Sequence, residues 1–172
     1  HDLVQLDLRE PGNPDQERMG QVITGSITDP EVVARAMDGV DTVIHGAAIA
    51  YDRQPYYEVV ETNVMGTFRM LEDAGSCDKV EQVIYISSIR WHGLHDQFTK
   101  ECLPEYLPID EEHPSLAIMY YSSSKVQAEL WCETYAARFR KPAVAIRPAL
   151  IVTLEQESTY AARAATDWPD LS

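Results

Sequence analysis

Tyr121-Ser122-Ser123-Ser124-Lys125 sets a phenol and an ammonium four residues apart, the spacing that brings two side chains onto one face of a helix. A free tyrosine titrates at about 10, too high for a base at neutral pH. A neighbouring ammonium favours the phenolate and lowers that value. The pair can therefore take a proton from a carbinol or return one to a carbonyl. Tyr-x-x-x-Lys also arises often by chance as a surface pair, so its surroundings decide its weight. Ser87-Ser88 closes an apolar run just upstream of that helix. A hydroxyl there would lie at a sheet edge and could hold a substrate oxygen while the phenol moves its proton. Without Tyr121, a serine pair would read simply as a strand end. His45 reads as a hydrogen-bonded strand histidine rather than a base. His92, His95 and His113 lie in a long loop without metal-ligand spacing, so no metal is expected.

The elements that must position these residues follow from periodicity. Short apolar runs over 3–8, 21–27, 41–48, 83–88 and 143–151 alternate with helix-period segments. Residues 9–20 form a turn-rich connection around Pro11, Gly12, Asn13 and Pro14. One helix starts at a cap on Thr28 or Asp29, with Pro30 at its first position, and stops at Gly39. A second runs from about 55 to 74 with Val60, Val64, Thr67, Leu71 and Ala74 as its buried stripe. The longest spans about 120–140 and is terminated by Lys141-Pro142. Residues 89–117 are irregular and acidic, a length that marks a functional loop or disorder. The alternation predicts an α/β fold of the Rossmann type, a doubly wound parallel sheet in a three-layer αβα sandwich. Ligands of such sheets bind beyond the carboxyl ends of the strands. Asp7, Ser26, Gly46-Ala47-Ala48 and Ser87-Ser88 stand at those ends. The expected organisation is one nucleotide-binding domain over 1–153, followed over 154–172 by the helical start of a substrate-binding part.

Composition sets the outer bounds. At 172 residues and 45% apolar content the chain can bury one core. Its net charge of −14 disfavours nucleic acid, because no basic stripe exists to replace condensed counterions. The acidity reads as solubility. No apolar run approaches the roughly eighteen residues of a membrane span, and His1-Asp2 leads directly into a strand, so neither a membrane partner nor a leader is expected. Cys77, Cys102 and Cys132 are odd in number and without Cys-x-x-Cys spacing, which predicts free thiols and a reduced, cytoplasmic setting.

At this point the motifs resemble a known family. Ser88 followed five positions later by Gly93, then Tyr-Ser-Ser-Ser-Lys, resembles the Ser-x-x-x-x-Gly and Tyr-x-x-x-Lys pairing of the extended short-chain dehydrogenases, which include epimerases and dehydratases of nucleotide sugars. Val43-Ile44-His45-Gly46-Ala47-Ala48, Thr62-Asn63-Val64-Met65-Gly66-Thr67, the acidic stretch Pro108 to Pro114 and Arg147-Pro148 match further motifs of that family in the same order. The resemblance covers about 3–151. It implies Tyr121 as general acid/base, Lys125 as its tuner and a ligand of the nicotinamide ribose, and Ser88 as the group that orients the substrate oxygen. It also implies a cofactor site on Asp7, Ser26, Ile27, Gly46, Ala47, Ala48, Asn63 and Pro148, together with Tyr121 and Lys125. Asp7 would take the adenosine ribose hydroxyls and favour NAD over NADP, with Arg9 the one feature on the NADP side. Gly46 and its small neighbours would admit the cofactor backbone closely or serve tight helix–sheet packing. Asn63 would brace the site or be an ordinary exposed polar residue. A homodimer built on the two long helices is also implied.

Four departures limit what the resemblance says of substrate. Ser26 stands where the family usually has Asp. Trp91-His92 replaces a common Val-Tyr. Leu150 and Thr153 replace an asparagine and a glycine near the substrate. The Gly-rich phosphate loop has no counterpart, so omission of a first βα unit of roughly 25–30 residues is expected. The expected activity is NAD-dependent hydride transfer at a carbinol carbon of a small, sugar-like substrate, within epimerisation or dehydration. Simple oxidation of a sugar or secondary alcohol is the alternative, and a non-catalytic dinucleotide sensor is the reading from another class.

Overall fold

The structure is a computed structural model that describes residues 3–10, 12, 20–52, 54–94, 103–149, 151 and 153. Part of the expected 9–20 connection, His95, Cys102, Leu150 and the expected C-terminal stretch 154–172 lie outside the described residues.

Among the described residues there are five parallel strands, each close to where the apolar runs predict it. β1 (Leu3–Asp7) pairs with β2 (Gly20–Thr24) in one sheet, and β3 (Thr42–His45), β4 (Gln82–Ile86) and β5 (Ala143–Ile146) form another in that order. The strands stop earlier than the apolar runs do. Gly46-Ala47-Ala48 and Ser87-Ser88 continue the small or apolar pattern past the last ladder pair, as chain that turns into the site. The two sheets match the two flanks of a doubly wound order, in which the first strand lies between the second and the fourth. No described residue fills that central position, and a cleft of about 1630 Å³ lies there, lined from both sides by β1 and β3.

Helix α1 (Pro30–Ala36) starts as the sequence predicts. The Asp29 carboxylate accepts from the N–H groups of Glu31 and Val32 at 3.0 and 3.4 Å, and Pro30 occupies the first turn. Helix α2 is continuous through an α-helical Tyr57–Val59, a π-helical Val60–Gly66 and an α-helical Thr67–Ser76. The π segment corrects the predicted buried stripe. Each π turn takes up an extra residue, so the inward face runs back from Thr67 through Asn63 to Val59. Val59 is fully buried, whereas Val60 is 40% exposed.

Helix α3 (Tyr120–Phe139) packs against α2, and both lie over β4. The shared core holds Val83 and Tyr85 of β4 with Met70, Leu71, Ala74, Ala128, Cys132 and Tyr135. Burial on that scale is what fixes α3 as a rigid carrier. Arg140, in the left-handed conformation at φ 55°, ends it, and the Lys141 ammonium donates to the carbonyls of Gly75 and Cys77 at the C-terminus of α2. On the opposite face of the sheet Ile44, Ile84 and Val144 stand in register. No helix among the described residues is long and apolar enough to cross a membrane.

Candidate active site

Tyr121 and Lys125 occupy the first two turns of α3, where the alternation of burial along the helix points them back toward β4. Lys125 is almost fully buried, and its Nζ donates to the carbonyl of Ile86 at 2.9 Å. That carbonyl ends β4, two residues before Ser88. The ammonium stands 4.9 Å from the centroid of the Tyr85 ring and 5.7 Å from that of Tyr121. A cation so placed over two aromatic rings is held by their quadrupoles as well as by the carbonyl. Burial lowers its pKa to about 8, against an opposing pull from the Glu129 carboxylate one turn further on. The same burial pushes the Tyr85 phenol well above its ordinary range, so Tyr85 is a neutral platform and not a second base.

Ser88 is buried, and its Oγ accepts from the N–H of Arg90 at 3.1 Å, capping a 3₁₀ turn over Ile89–His92. Its hydroxyl proton is left to donate. Gly93 follows at φ +75°, and a Cβ there would fall 2.3 Å from the backbone of Leu116. The close approach lets the N–H of Leu116 reach the carbonyl of His92 at 2.9 Å, and the Ser115 hydroxyl that of Trp91 at 2.6 Å. His113 orders this loop as well. Its Nδ1 donates to the Pro114 carbonyl at 2.8 Å and its Nε2 accepts from the N–H of Glu105 at 3.0 Å, which makes it a neutral pin.

Asn63 is buried rather than exposed. Its amide exchanges two hydrogen bonds with the backbone of Ile49, at 2.8 and 3.0 Å, and donates to Ser124 Oγ at 3.0 Å. Ser124 Oγ donates in turn to the carbonyl of Tyr121 at 2.6 Å. The loop after β3 is thereby tied to both long helices. That loop also carries Asp52, whose two carboxylate oxygens accept from the N–H groups of Tyr120 and Tyr121 at 3.1 and 2.6 Å.

His45 fits the strand-histidine reading. Thr67 Oγ1 donates to the Asn63 carbonyl at 2.6 Å, so it must accept from His45 Nε2, 2.9 Å away. Burial, aided by the Lys125 charge, lowers the His45 pKa to about 3, which keeps the ring neutral.

The remaining predicted residues fall into two groups. Asp7, Ile27, Gly46 and Ala47 line the large cleft. The Asp7 carboxylate accepts from the N–H of Arg9 at 2.9 Å, and a Cβ on Gly46 would meet only Ile86, at 3.7 Å. Tight helix–sheet packing is therefore not what that glycine serves. Ser26, Ala48 and Pro148 are not among the cleft-lining residues. The Ser26 hydroxyl is engaged with Thr28 at 2.7 Å, and the Pro148 carbonyl accepts from Ile89 at 2.9 Å beside Ser88.

Sequence reasoning passed over a cluster behind the site. Arg147 is bound through both Nε and an Nη to the Glu129 carboxylate, the latter at 2.8 Å, and its guanidinium stacks on Trp91 at 3.5 Å. Glu129 also accepts from the Ser87 hydroxyl at 2.5 Å. The Lys125-to-Glu129 spacing of four residues was the available signal. Nothing in the sequence signals Asp52 or the Tyr85 platform.

The family described as "Male sterility protein" matches residues 22–171. The chain is 29% identical over 149 residues to a uronate dehydrogenase of Pseudomonas syringae pv. tomato, covering 86% of this chain and 50% of that protein. It is 26% identical to an L-arabinose 1-dehydrogenase (NAD(P)(+)) of Haloferax volcanii, over 91% of this chain and 60% of that one. The crystal structure of UDP-glucose 4-epimerase from Brucella ovis in complex with NAD superposes with a TM-score of 0.72 at 27% identity, over 86% of this chain and 44% of that one. The chain thus spans about half the length of the curated relatives it matches.

Proposed function

Because this chain belongs to the extended short-chain dehydrogenases, in the NAD-binding family described as "Male sterility protein", we propose that it is the cofactor-binding and proton-handling part of an NAD-dependent oxidoreductase acting at a carbinol carbon of a sugar or nucleotide sugar. The observation that carries the reading is the buried Lys125 ammonium, fixed between the Ile86 carbonyl and the Tyr121 ring. The cation is thereby held beside the phenol proposed to move the proton.

The dinucleotide is proposed to lie along the carboxyl ends of β1 and β3, where Asp7 offers a carboxylate for a ribose diol and Gly46 leaves room for a close approach. The carboxylate also favours NAD over NADP. When bound, the nicotinamide supplies a hydride acceptor and donor. The chain's own residues handle the proton. Ser88 Oγ donates to the substrate oxygen, Tyr121 Oη takes that oxygen's proton, and Lys125 holds the resulting negative charge. Asn63 and Ser124 keep the first turn of α3 in register while this happens.

Net oxidation is the version favoured by the two relatives described above, both dehydrogenases by name. The test is incubation of the purified protein and NAD with D-glucuronate, L-arabinose and UDP-glucose in turn. NADH accumulation with either free sugar is expected. A changed sugar configuration by NMR without NADH marks an epimerase instead. Neither signal with any of the three, from protein that binds NAD, overturns the reading.

A further inference from the structure

Helix α3 begins without a cap of its own. Met119 occupies the capping position and makes no side-chain cap hydrogen bond. A helix of twenty residues leaves its leading N–H groups unsatisfied and a partial positive charge at that end. Asp52, sixty-nine residues upstream of Tyr121, supplies what is missing: one oxygen for the N–H of Tyr120, the other for that of Tyr121. Both peptide groups of Tyr121 are then held by side chains, its N–H by Asp52 and its C=O by Ser124. Ser124 is in turn held by Asn63, and Asn63 by the backbone of Ile49, three residues before Asp52. The hydrogen bonds close a ring from the β3 loop through α2 to α3, with the Tyr121 backbone as the link between its two ends.

The geometry points to Asp52 as a positioning residue for Tyr121, fixing the start of the catalytic helix relative to the loop after β3, which begins with Gly46 and Ala47. The inference rests on the acid/base reading of Tyr121 and deepens it. A carboxylate is better suited to this place than a hydroxyl or an amide. Its two oxygens bridge consecutive N–H groups, and its charge opposes the helix dipole. Asp52 touches neither substrate nor cofactor in this role. It acts through where it holds the phenol.

The test compares wild type with Asp52→Ala, which removes both acceptors, and Asp52→Asn, which keeps one and drops the charge. Amide hydrogen exchange at Tyr120 and Tyr121 should speed up about tenfold in Asp52→Ala and less in Asp52→Asn, with β4 amides unchanged as the internal control. With NAD and D-glucuronate, kcat should fall about 10- to 100-fold in Asp52→Ala, partly rescued in Asp52→Asn, while KM for NAD changes little. Unchanged exchange at Tyr120 and Tyr121 overturns the proposal, as does an equal rise at β4, which means only global destabilisation. Should Asp52→Ala not fold, the same comparison on Asp52→Asn decides. Tyr121→Phe is run in parallel. If it keeps full turnover, the acid/base reading fails, while the exchange data still report whether Asp52 holds the helix start.

Discussion

Lys125 lies one helical turn beyond Tyr121, and its ammonium comes within 5.7 Å of the Tyr121 ring centroid because the Ile86 carbonyl holds it there at 2.9 Å. The pairing is thus fixed from outside the helix. A four-residue spacing brings the two side chains to one face, but a surface lysine would spread over its rotamers and swing away into water. Burial against β4 removes that freedom.

Replacing the phenol tests the proton step directly. Tyr121→Phe should lower kcat about 10²- to 10⁴-fold, the usual range for a lost general acid/base. NAD affinity, measured by protein fluorescence, should change little. Lys125→Met should lose both, because the proposed roles of the ammonium include the phenol and the ribose alike.

The Lys125 pKa of about 8 sets a pH window. The proposed role needs the cation, so turnover should decline as pH rises through about 8, and Lys125→Arg, which stays charged, should shift or abolish that limb. Stability runs the other way. The group titrates at 10.5 in the unfolded chain, so between about 8 and 10.5 the unfolded state binds more protons and stability from this residue rises with pH. Urea unfolding across that window, wild type against Lys125→Met, checks the sign.

His45 carries an opposite liability at low pH. Its folded pKa of about 3 lies below its ordinary 6.5, so the unfolded state takes the proton first. Stability should be complete above about 6.5 and drain away toward 3, by up to about 5 kcal/mol for a shift of that size. His45→Gln should move the acid-unfolding midpoint to lower pH. Thr67→Val leaves the Nε2 donor without an acceptor and should cost about 1–3 kcal/mol.

The Glu129–Arg147 pair is mostly buried, with side-chain exposures of 12% and 18%. Removing one partner leaves the other charge uncompensated, so Glu129→Gln or Arg147→Met should each cost about 3–5 kcal/mol. Removing both should cost less than the sum. A double-mutant cycle by denaturant unfolding measures the coupling. Arg147→Met should also loosen Trp91, which its guanidinium covers, and change the intrinsic fluorescence.

Gly93 tolerates no side chain. At φ +75°, with Leu116 backbone 2.3 Å from any Cβ, Gly93→Ala must displace the loop that Gly93 binds. A cost of about 1–3 kcal/mol is expected for the backbone strain alone. Proteolysis within 103–117 should quicken in parallel.

The sequence by itself determined the α/β class, the strands seen among the described residues and the long helix, and it singled out Ser88, Tyr121 and Lys125 as candidates. Each is a local signal: an apolar run, a helical period, a spacing of four. Asp29 as a cap was legible for the same reason, since a cap acts within one turn of its own residue. The ends of the strands were not legible, because small residues such as Gly46 and Ala47 look the same inside a ladder and just beyond it. The buried face of α2 shifted by one residue across its π segment, which no fixed period anticipates.

What only the tertiary structure decided is how the phenol is held. Ile86 fixes Lys125, Tyr85 lies beneath it, Asn63 is buried rather than exposed, and Asp52 caps the start of α3 from sixty-nine residues upstream of Tyr121. These partners are far apart in the chain, and their pairing follows from how β3, β4 and the two long helices pack. The local partner of Ser26 was not legible either: its hydroxyl lies 2.7 Å from that of Thr28 two residues on. Residue type and spacing name the groups able to do chemistry, and packing alone settles which of them are fixed where chemistry can occur.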